Sequence, residues 1–243
     1  MAVRIGTCGW QYDDWRDAFY PHDLAKTKWL PAYAESFDTV ECDNAFYRLP
    51  KRETFEKWAT LLPDGFTMAV KASRFLTHVK RLKDPAEPVR RLLEACTGLG
   101  DRLGPILVQL PPTMKVDVER LDDCLRQFPR TARVAVEPRH ETWWVDEVRQ
   151  VLERHHAALT WSDRLGKPVA PMWRTATWGY LRLHQGSEEF PPDYGKSTLR
   201  RWLRQVDETW ASSDEVFVYF NNDPGAAAIR NALTMQALVP SRR

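Results

Sequence analysis

The sequence predicts an α/β fold: one TIM-type (β/α)8 barrel with a closed parallel sheet, a single domain over residues 1–243. Three observations lead there. About eight short apolar runs alternate with about seven helical patterns, which implies parallel strands joined by right-handed crossovers. The length, 243 residues, is that of such a barrel. No linker or composition break divides the chain, and neither a GxGxxG after the first strand nor a Walker A sequence favours an open nucleotide-binding sheet.

Val3–Cys8 reads as the first strand, and Gly6 and Gly9 beside it permit close backbone approach. A loop with Tyr12, Trp15, Phe19, Tyr20 and Pro21 follows, then a helix over Leu24–Ser36. The second strand, Thr39–Asp43, exits through Asn44–Pro50 into a helix over Lys51–Leu61. The third, Phe66–Ala72, is tipped by Lys71 and followed by a loop at Ser73–His78 and a helix over Ala86–Leu99. The fourth, Pro105–Leu110, stops at Pro111-Pro112, and a helix covers Asp117–Phe128.

Arg133–His140 holds the fifth strand. Alternation sets Ala135, Glu137 and Arg139 on one face and Val134 and Val136 on the other, as in a strand buried on both sides whose tip carries chemistry. Pro138 has no N–H for a ladder, so the strand ends there. A helix follows over Trp143–His155, then a sixth strand at Ala158–Asp163 and a connection, Arg164–Thr177, with little helical pattern. The seventh strand, Gly179–His184, alternates Tyr180, Arg182 and His184 against Leu181 and Leu183. A helix at Lys196–Trp210 leads to the eighth strand, Glu215–Phe220, and Pro224 sits where the last helix would begin, ending near Leu238.

In such barrels ligands bind at the C-terminal ends of the strands. Collecting those ends assembles Trp10, Glu41, Lys71, Gln109, Glu137, Arg139, Asp163, Arg182, His184, Asn221 and Asn222, with His78 and His140 in adjoining loops. A lone Gln109 or Asn222 is read equally well as a binding group or as a mark of where a strand leaves the core. Several charges in one mouth are different: an unpaired buried charge costs several kcal/mol, so these groups pair with one another, with a ligand, or with both. Arg139, Arg182 and Lys71 suit a phosphate or carboxylate. Glu137, His184 and Glu41 are the expected acid/base groups, and Trp10, Lys71, His78, Gln109, Arg139, His140, Asp163, Arg182, Asn221 and Asn222 the expected binding groups. Glu41, Glu137 and Asp163 with His184 or His140 also form a conceivable metal set, but the neighbouring cations oppose a divalent ion, so no metal and no cofactor are expected. Paired carboxylates also admit glycoside hydrolysis.

Trp10, Tyr12, Trp15, Phe46, Tyr47, Trp143 and Trp144 are read first as packing beneath loops; any of them exposed at the mouth would suit a base or sugar ring. His155-His156 and the charge run Arg81–Asp84 are read as solvated surface.

Composition narrows the class. The chain is 43% apolar and 28% charged with net charge +2, a balance for a folded protein without broad nucleic-acid affinity. Cys8, Cys42, Cys96 and Cys124 show no CxxC spacing, so neither disulfides nor a zinc knuckle are expected, and a reducing cytoplasmic location is. No signal-peptide pattern or membrane-length apolar run occurs, and no membrane partner is expected.

At the strand tips the chain resembles the YecE-like family, the domain of unknown function seventy-two. The residues that carry the likeness are Gly6-Thr-Cys-Gly-Trp10 with Trp15 and Tyr20-Pro21, Thr39-Val-Glu41, Phe46-Tyr-Arg-Leu-Pro50, and Val70-Lys71 with Thr77-His78. Gln109-Leu-Pro-Pro112, Val136-Glu137 with Arg139-His140 and Trp143, Leu181-Arg-Leu-His184, and Tyr219-Phe-Asn-Asn222 continue it in family order. Asp43, Ala45, Pro138 and Gln185 depart from the pattern. The resemblance implies the same barrel and no particular reaction. Three functions compete: an enzyme on a small anionic or nucleotide-like substrate, a hydrolase or lyase using acid/base catalysis; a non-catalytic binder of nucleic acid or a metabolite; and a metal-dependent hydrolase shaped like apurinic endonucleases.

Overall fold

The structure, a computed structural model, describes residues 2–186, 191–211 and 214–239. Strands and helices alternate as β1 (Ala2–Thr7), α1 (Trp29–Ala34), β2 (Thr39–Cys42), α2 (Asn44–Tyr47), α3 (Arg52–Leu61), β3 (Thr67–Lys71), α4 (Ala86–Cys96), β4 (Leu103–Gln109), α5 (Val118–Arg126) and β5 (Val134–Glu137). There follow α6 (Asp146–Arg154), β6 (Ala158–Leu159), β7 (Trp161–Arg164), β8 (Lys167–Pro168), β9 (Gly179–Leu183), α7 (Lys196–Thr209), β10 (Glu215–Phe220) and α8 (Ala227–Leu238). Pairing is parallel throughout except in the small β7–β8 hairpin, and the result is a TIM-type barrel.

The expectation of a closed sheet needs correction. Hydrogen bonding divides the strands into two five-stranded sheets, β1-β10-β9-β7-β8 and β2-β3-β4-β5-β6. At one junction the predicted sixth strand breaks at Thr160: β6 pairs β5, while Trp161 and Ser162 pair β9. At the other, β1 and β2 share only the bridge between Cys8 and Glu41. A hydroxyl explains each interruption. The Tyr33 phenol, sent from α1, accepts from Thr7 N at 3.0 Å and donates to Thr39 O at 3.1 Å, replacing direct strand pairing. Thr175 Oγ1 likewise accepts from Leu159 N at 2.8 Å and donates to Ala157 O at 2.7 Å. Gly6 belongs to the first seam, because a Cβ there would lie 2.3 Å from Thr39 O.

Two apolar layers follow from the strand alternation. Outward side chains such as Val40, Val70, Val108 and Val136 pack under the helices, as a strand covered on both faces requires. Inward ones, Ala69, Leu107, Ala135, Ala158, Tyr180, Phe217 and Tyr219, fill the barrel. Trp10, Trp15 and Trp143 are buried, as packing beneath loops requires, whereas Tyr47 is exposed. Other boundaries shift. The helix expected over Leu24–Ser36 is a 3-10 turn at Lys26–Lys28 plus α1, the loop at Ser73–His78 becomes a π-helical turn at Phe75–Val79, and Trp143 lies in a 3-10 turn ahead of α6. His155 is not the solvated residue expected: its Nε2 is 2.7 Å from the buried Asp122 carboxylate. Leu82, inside the charge run, is buried as well.

Tyr33→Phe tests the seam. Without the phenol, Thr7 N–H and Thr39 C=O lose their shared partner, and urea unfolding should show a loss of about 1–3 kcal/mol. A change within about 0.5 kcal/mol, the usual scatter of neutral substitutions, would mean that the seam does not depend on this hydroxyl.

Candidate functional site

The inward layer changes character at the C-terminal end of the barrel. Two residues beyond Ala69, Leu107, Ala135 and Tyr180 come Lys71, Gln109, Glu137 and Arg182, on the same inner face because strand side chains repeat every second residue. Register sets Gln109 beside Glu137, Tyr219 and Ser162 beside Arg182, and Cys8 beside Glu41. Polar groups from distant chain segments thereby form one layer over the apolar plug.

Arg182 is its centre and is fully buried. Nη1 donates to Glu137 Oε2 at 2.8 Å and to Gln109 Oε1 at 3.2 Å. Nη2 donates to Glu41 Oε1 at 2.7 Å and lies 3.4 Å from both Asp43 Oδ2 and Cys8 Sγ. Glu41 Oε2 accepts from Tyr180 OH at 2.5 Å. Cys8, Glu41 and Asp43 bring their ligand atoms within 4.8 Å of one another, a grouping suited to a metal ion. Arg182 Nη2, however, contacts all three and stands where the cation would compensate their charge. Lys71 Nζ, 3.5 Å from Asp43 Oδ1, adds a second cation to the same corner.

The two glutamates respond oppositely. Burial alone would raise Glu137, but Arg182, Arg139 and His184 outweigh it and hold its carboxyl well below the usual range. For Glu41, burial prevails over Arg182 and, with Asp43 alongside, pushes it to about 7. Asp43 is lowered, since Arg182 and Lys71 overcome its burial. Glu41 and Asp43 therefore act as a coupled pair in which Asp43 carries the charge and Glu41 holds the proton near neutrality. Burial raises Cys8 as well and keeps its thiol protonated.

On the opposite side His184 sits above Glu137. Glu137 Oε1 is 2.9 Å from His184 Nε2 and 2.7 Å from Arg139 Nη2, and those two nitrogens are themselves 2.9 Å apart. The consistent arrangement has Oε1 accepting from both, so Nε2 carries the proton and Nδ1 accepts from Asn221 Nδ2 at 3.0 Å. Burial lowers the His184 pKa despite the Glu137 charge, so the ring is neutral at pH 7. Asp163 Oδ1 accepts the His184 backbone N–H at 2.7 Å, and Tyr194 OH donates to Asp163 Oδ2 at 2.7 Å; burial raises Asp163 to about 6.

An open cleft of about 660 Å³ lies over this side, walled by Arg139, His140, Asp163, Arg164 and His184 with Glu141, Trp144 and Gln185. The residues named from sequence thus separate into groups. Arg139, His140, Asp163 and His184 line the cleft. Glu41, Glu137 and Arg182 lie fully buried, with Lys71 and Gln109 at the edge of the same network. Asn221 steadies His184, whereas Asn222 Nδ2 bonds Pro192 O and Asn231 Oδ1, both at 2.8 Å, and serves the scaffold. Trp10 packs edge-on against Trp58 at 5.1 Å and lies outside the polar layer. His78 stands against Phe46 at 4.9 Å on the far flank.

Sequence reasoning missed Tyr180, Asp223 and Arg164, and noted Asp43 only as a departure. Tyr180 was signalled by alternation, two residues before Arg182. Asp223, raised by burial to about 7, was hidden in the loop after β10, and its buried Oδ1 has no partner among the described residues. Nothing in the pattern pointed to Arg164, which reaches the cleft only through the β7–β8 hairpin.

Fold and site together define a TIM-type barrel protein with an arginine–carboxylate cluster beneath its C-terminal mouth. The chain belongs to the DUF72 family, described as a protein family of unknown function, whose family model matches residues 4–243. UPF0759 protein YunF of Bacillus subtilis is 26% identical over 98% of this chain and 94% of its own length. UPF0759 protein YecE of Escherichia coli K12 is 29% identical over 51% of this chain and 47% of its own. A DUF72 family crystal structure from Thermotoga maritima superposes with a TM-score of 0.82 at 26% identity, covering 98% of this chain and 99% of that one. A D-psicose 3-epimerase crystallised with D-fructose shares the fold alone, with a TM-score of 0.54 at 11% identity and 98% of each chain covered.

Two measurements test the cluster. Arg182→Met leaves two buried carboxylates without their main cation, and chemical unfolding should report a loss of about 3–5 kcal/mol. Glu41 supplies the pH dependence. Its folded pKa of about 7 lies above its unfolded value, so its contribution is complete below the ordinary carboxylate range and fades as pH rises through about 7. Melting temperatures measured across that window should therefore decline more steeply in the wild type than in Glu41→Gln. Parallel curves would contradict the assignment of the proton to Glu41.

Proposed function

We propose that the protein is an enzyme that holds a small phosphate- or carboxylate-bearing molecule, nucleotide-derived compounds included, in the cleft between Arg139 and Arg164 and moves a proton there through Glu137 and His184. The observation that carries this reading is the His184 ring in the cleft wall, neutral and fixed from behind by an ionised, fully buried glutamate. Such a pair works as a general base: Nδ1 takes the proton from a substrate hydroxyl or from water once the Asn221 amide gives way, and Glu137 balances the resulting imidazolium. Arg139 lines the cleft, so a ligand oxygen has a guanidinium to meet there. Asp163 and Gln109 hold the frame in place. Glu41 acts from below, through Arg182, instead of touching substrate. Hydrolysis and elimination both fit a single base facing an anion site.

Four unpaired cysteines support a cytoplasmic setting. Among the described residues no helix is long and apolar enough to cross a membrane.

The test is a screen of phosphate and carboxylate metabolites by thermal shift, with products followed by NMR. A true ligand should stabilise the wild type and lose that effect in Arg139→Met. His184→Gln should still bind it while turnover falls about 10²–10⁴-fold, the usual range for a lost general base. Turnover preserved in His184→Gln would end the proposal.

A further inference from the structure

On the flank of the mouth away from His184, two short helices leave the tips of β2 and β3. These are α2, ending in Tyr47, and the π-helical turn Phe75–Val79. They meet through the Phe46 and His78 rings, edge to face at 4.9 Å. Their outer side carries Tyr47 at 82%, Phe75 at 54% and Val79 at 59% exposure. Apolar area left in water gains nothing from folding, and clustered apolar exposure marks a contact surface. The backbone behind this ridge is strained: Arg81, Leu82 and Asp84 adopt φ of 49°, 63° and 42°, positions that side-chain-bearing residues rarely take.

Charge then narrows the partner. Beside Tyr47 runs a groove of about 490 Å³ whose walls include Arg48, Lys51 and Trp58 and no carboxylate. The neighbouring cations Arg52, Lys71 and Lys80 are paired with Glu56, Asp43 and Asp84. Arg48, Lys51 and Arg74, all exposed, make no side-chain ion pair among the described residues. Exposed rings interleaved with unpaired cations match a ligand that alternates flat faces with negative charge.

We infer that this ridge binds single-stranded nucleic acid, with bases stacking on Tyr47 and Phe75 and phosphates pairing with Arg48, Lys51 and Arg74. Stacking accepts any base, so binding is tolerant of sequence. A duplex hides its base faces and satisfies only the cations. An acidic peptide likewise supplies charge without flat partners for the rings. The surface lies apart from the cleft and does not rest on the reaction proposed for His184.

Fluorescence anisotropy with a labelled oligothymidylate of about 15 nucleotides, within the site sizes common for single strands, tests this on the full chain. Saturable binding is expected, with a slope of log K against log salt near about −2 for three neutralised phosphates. Tyr47→Ala should weaken it about tenfold, as loss of one stacked base does. The double variant Arg48→Glu with Lys51→Glu should weaken it further and flatten the salt slope. These side chains are exposed, so melting temperatures should be unchanged. His184→Gln should bind the oligonucleotide as the wild type does, which separates failure of this inference from failure of the proposed reaction. Absence of binding at low salt, wild-type affinity in Tyr47→Ala, tighter binding of duplex, or equal displacement by polyglutamate would each overturn it.

Discussion

A single guanidinium organises the barrel mouth. Arg182 enters the barrel interior with no exposed surface and is held there by carboxylates from two other strands, Glu41 and Glu137. Burying a guanidinium is expensive unless it is answered, and here both Nη atoms meet carboxylates while Nε has no partner among the described residues. The arrangement also dictates what surrounds it. Tyr180 must turn its hydroxyl to Glu41, Gln109 its carbonyl to Nη1, and Cys8 must remain a neutral thiol facing Nη2.

Two unlike carboxylates result from that one cation. Glu137 meets Arg182, Arg139 and His184 and stays ionised; Glu41 meets Arg182 on one oxygen and the Asp43 charge nearby and keeps a proton close to neutrality. The ionised member then orients His184 at the cleft, while the protonated member stands at the seam where Cys8 and Glu41 form the bridge between β1 and β2. Stability and the proposed chemistry thus share a network, and substitution of its buried members should act on both. Among the cleft residues, Arg164 and His140 stand clear of that network, whereas Arg139 bonds Glu137 directly.

Much of this was legible in the chain. Period-two alternation ending in Glu137, Arg182, Lys71 and Gln109 identified the inner face and its polar end, because strand geometry alone assigns every second side chain to one side. The repeated strand–helix order identified the barrel. Where reading failed, the reason was a contact between segments remote in sequence. Trp10 sits at a strand tip as the polar residues do, yet packs against Trp58 of α3. Asn222 resembles Asn221 but bonds Asn231 of α8, and nothing local distinguishes the two.

Local pattern, then, determined that the chain forms parallel strands wrapped by helices and that ionisable groups crowd one rim. Tertiary structure decided which of them pair and which face a cavity, because ion pairing depends on distances of a few ångströms between strands that the chain order leaves open. It also decided that the sheet is interrupted, since the Tyr33 and Thr175 hydroxyls take up backbone groups that a simple alternation assigns to neighbouring strands.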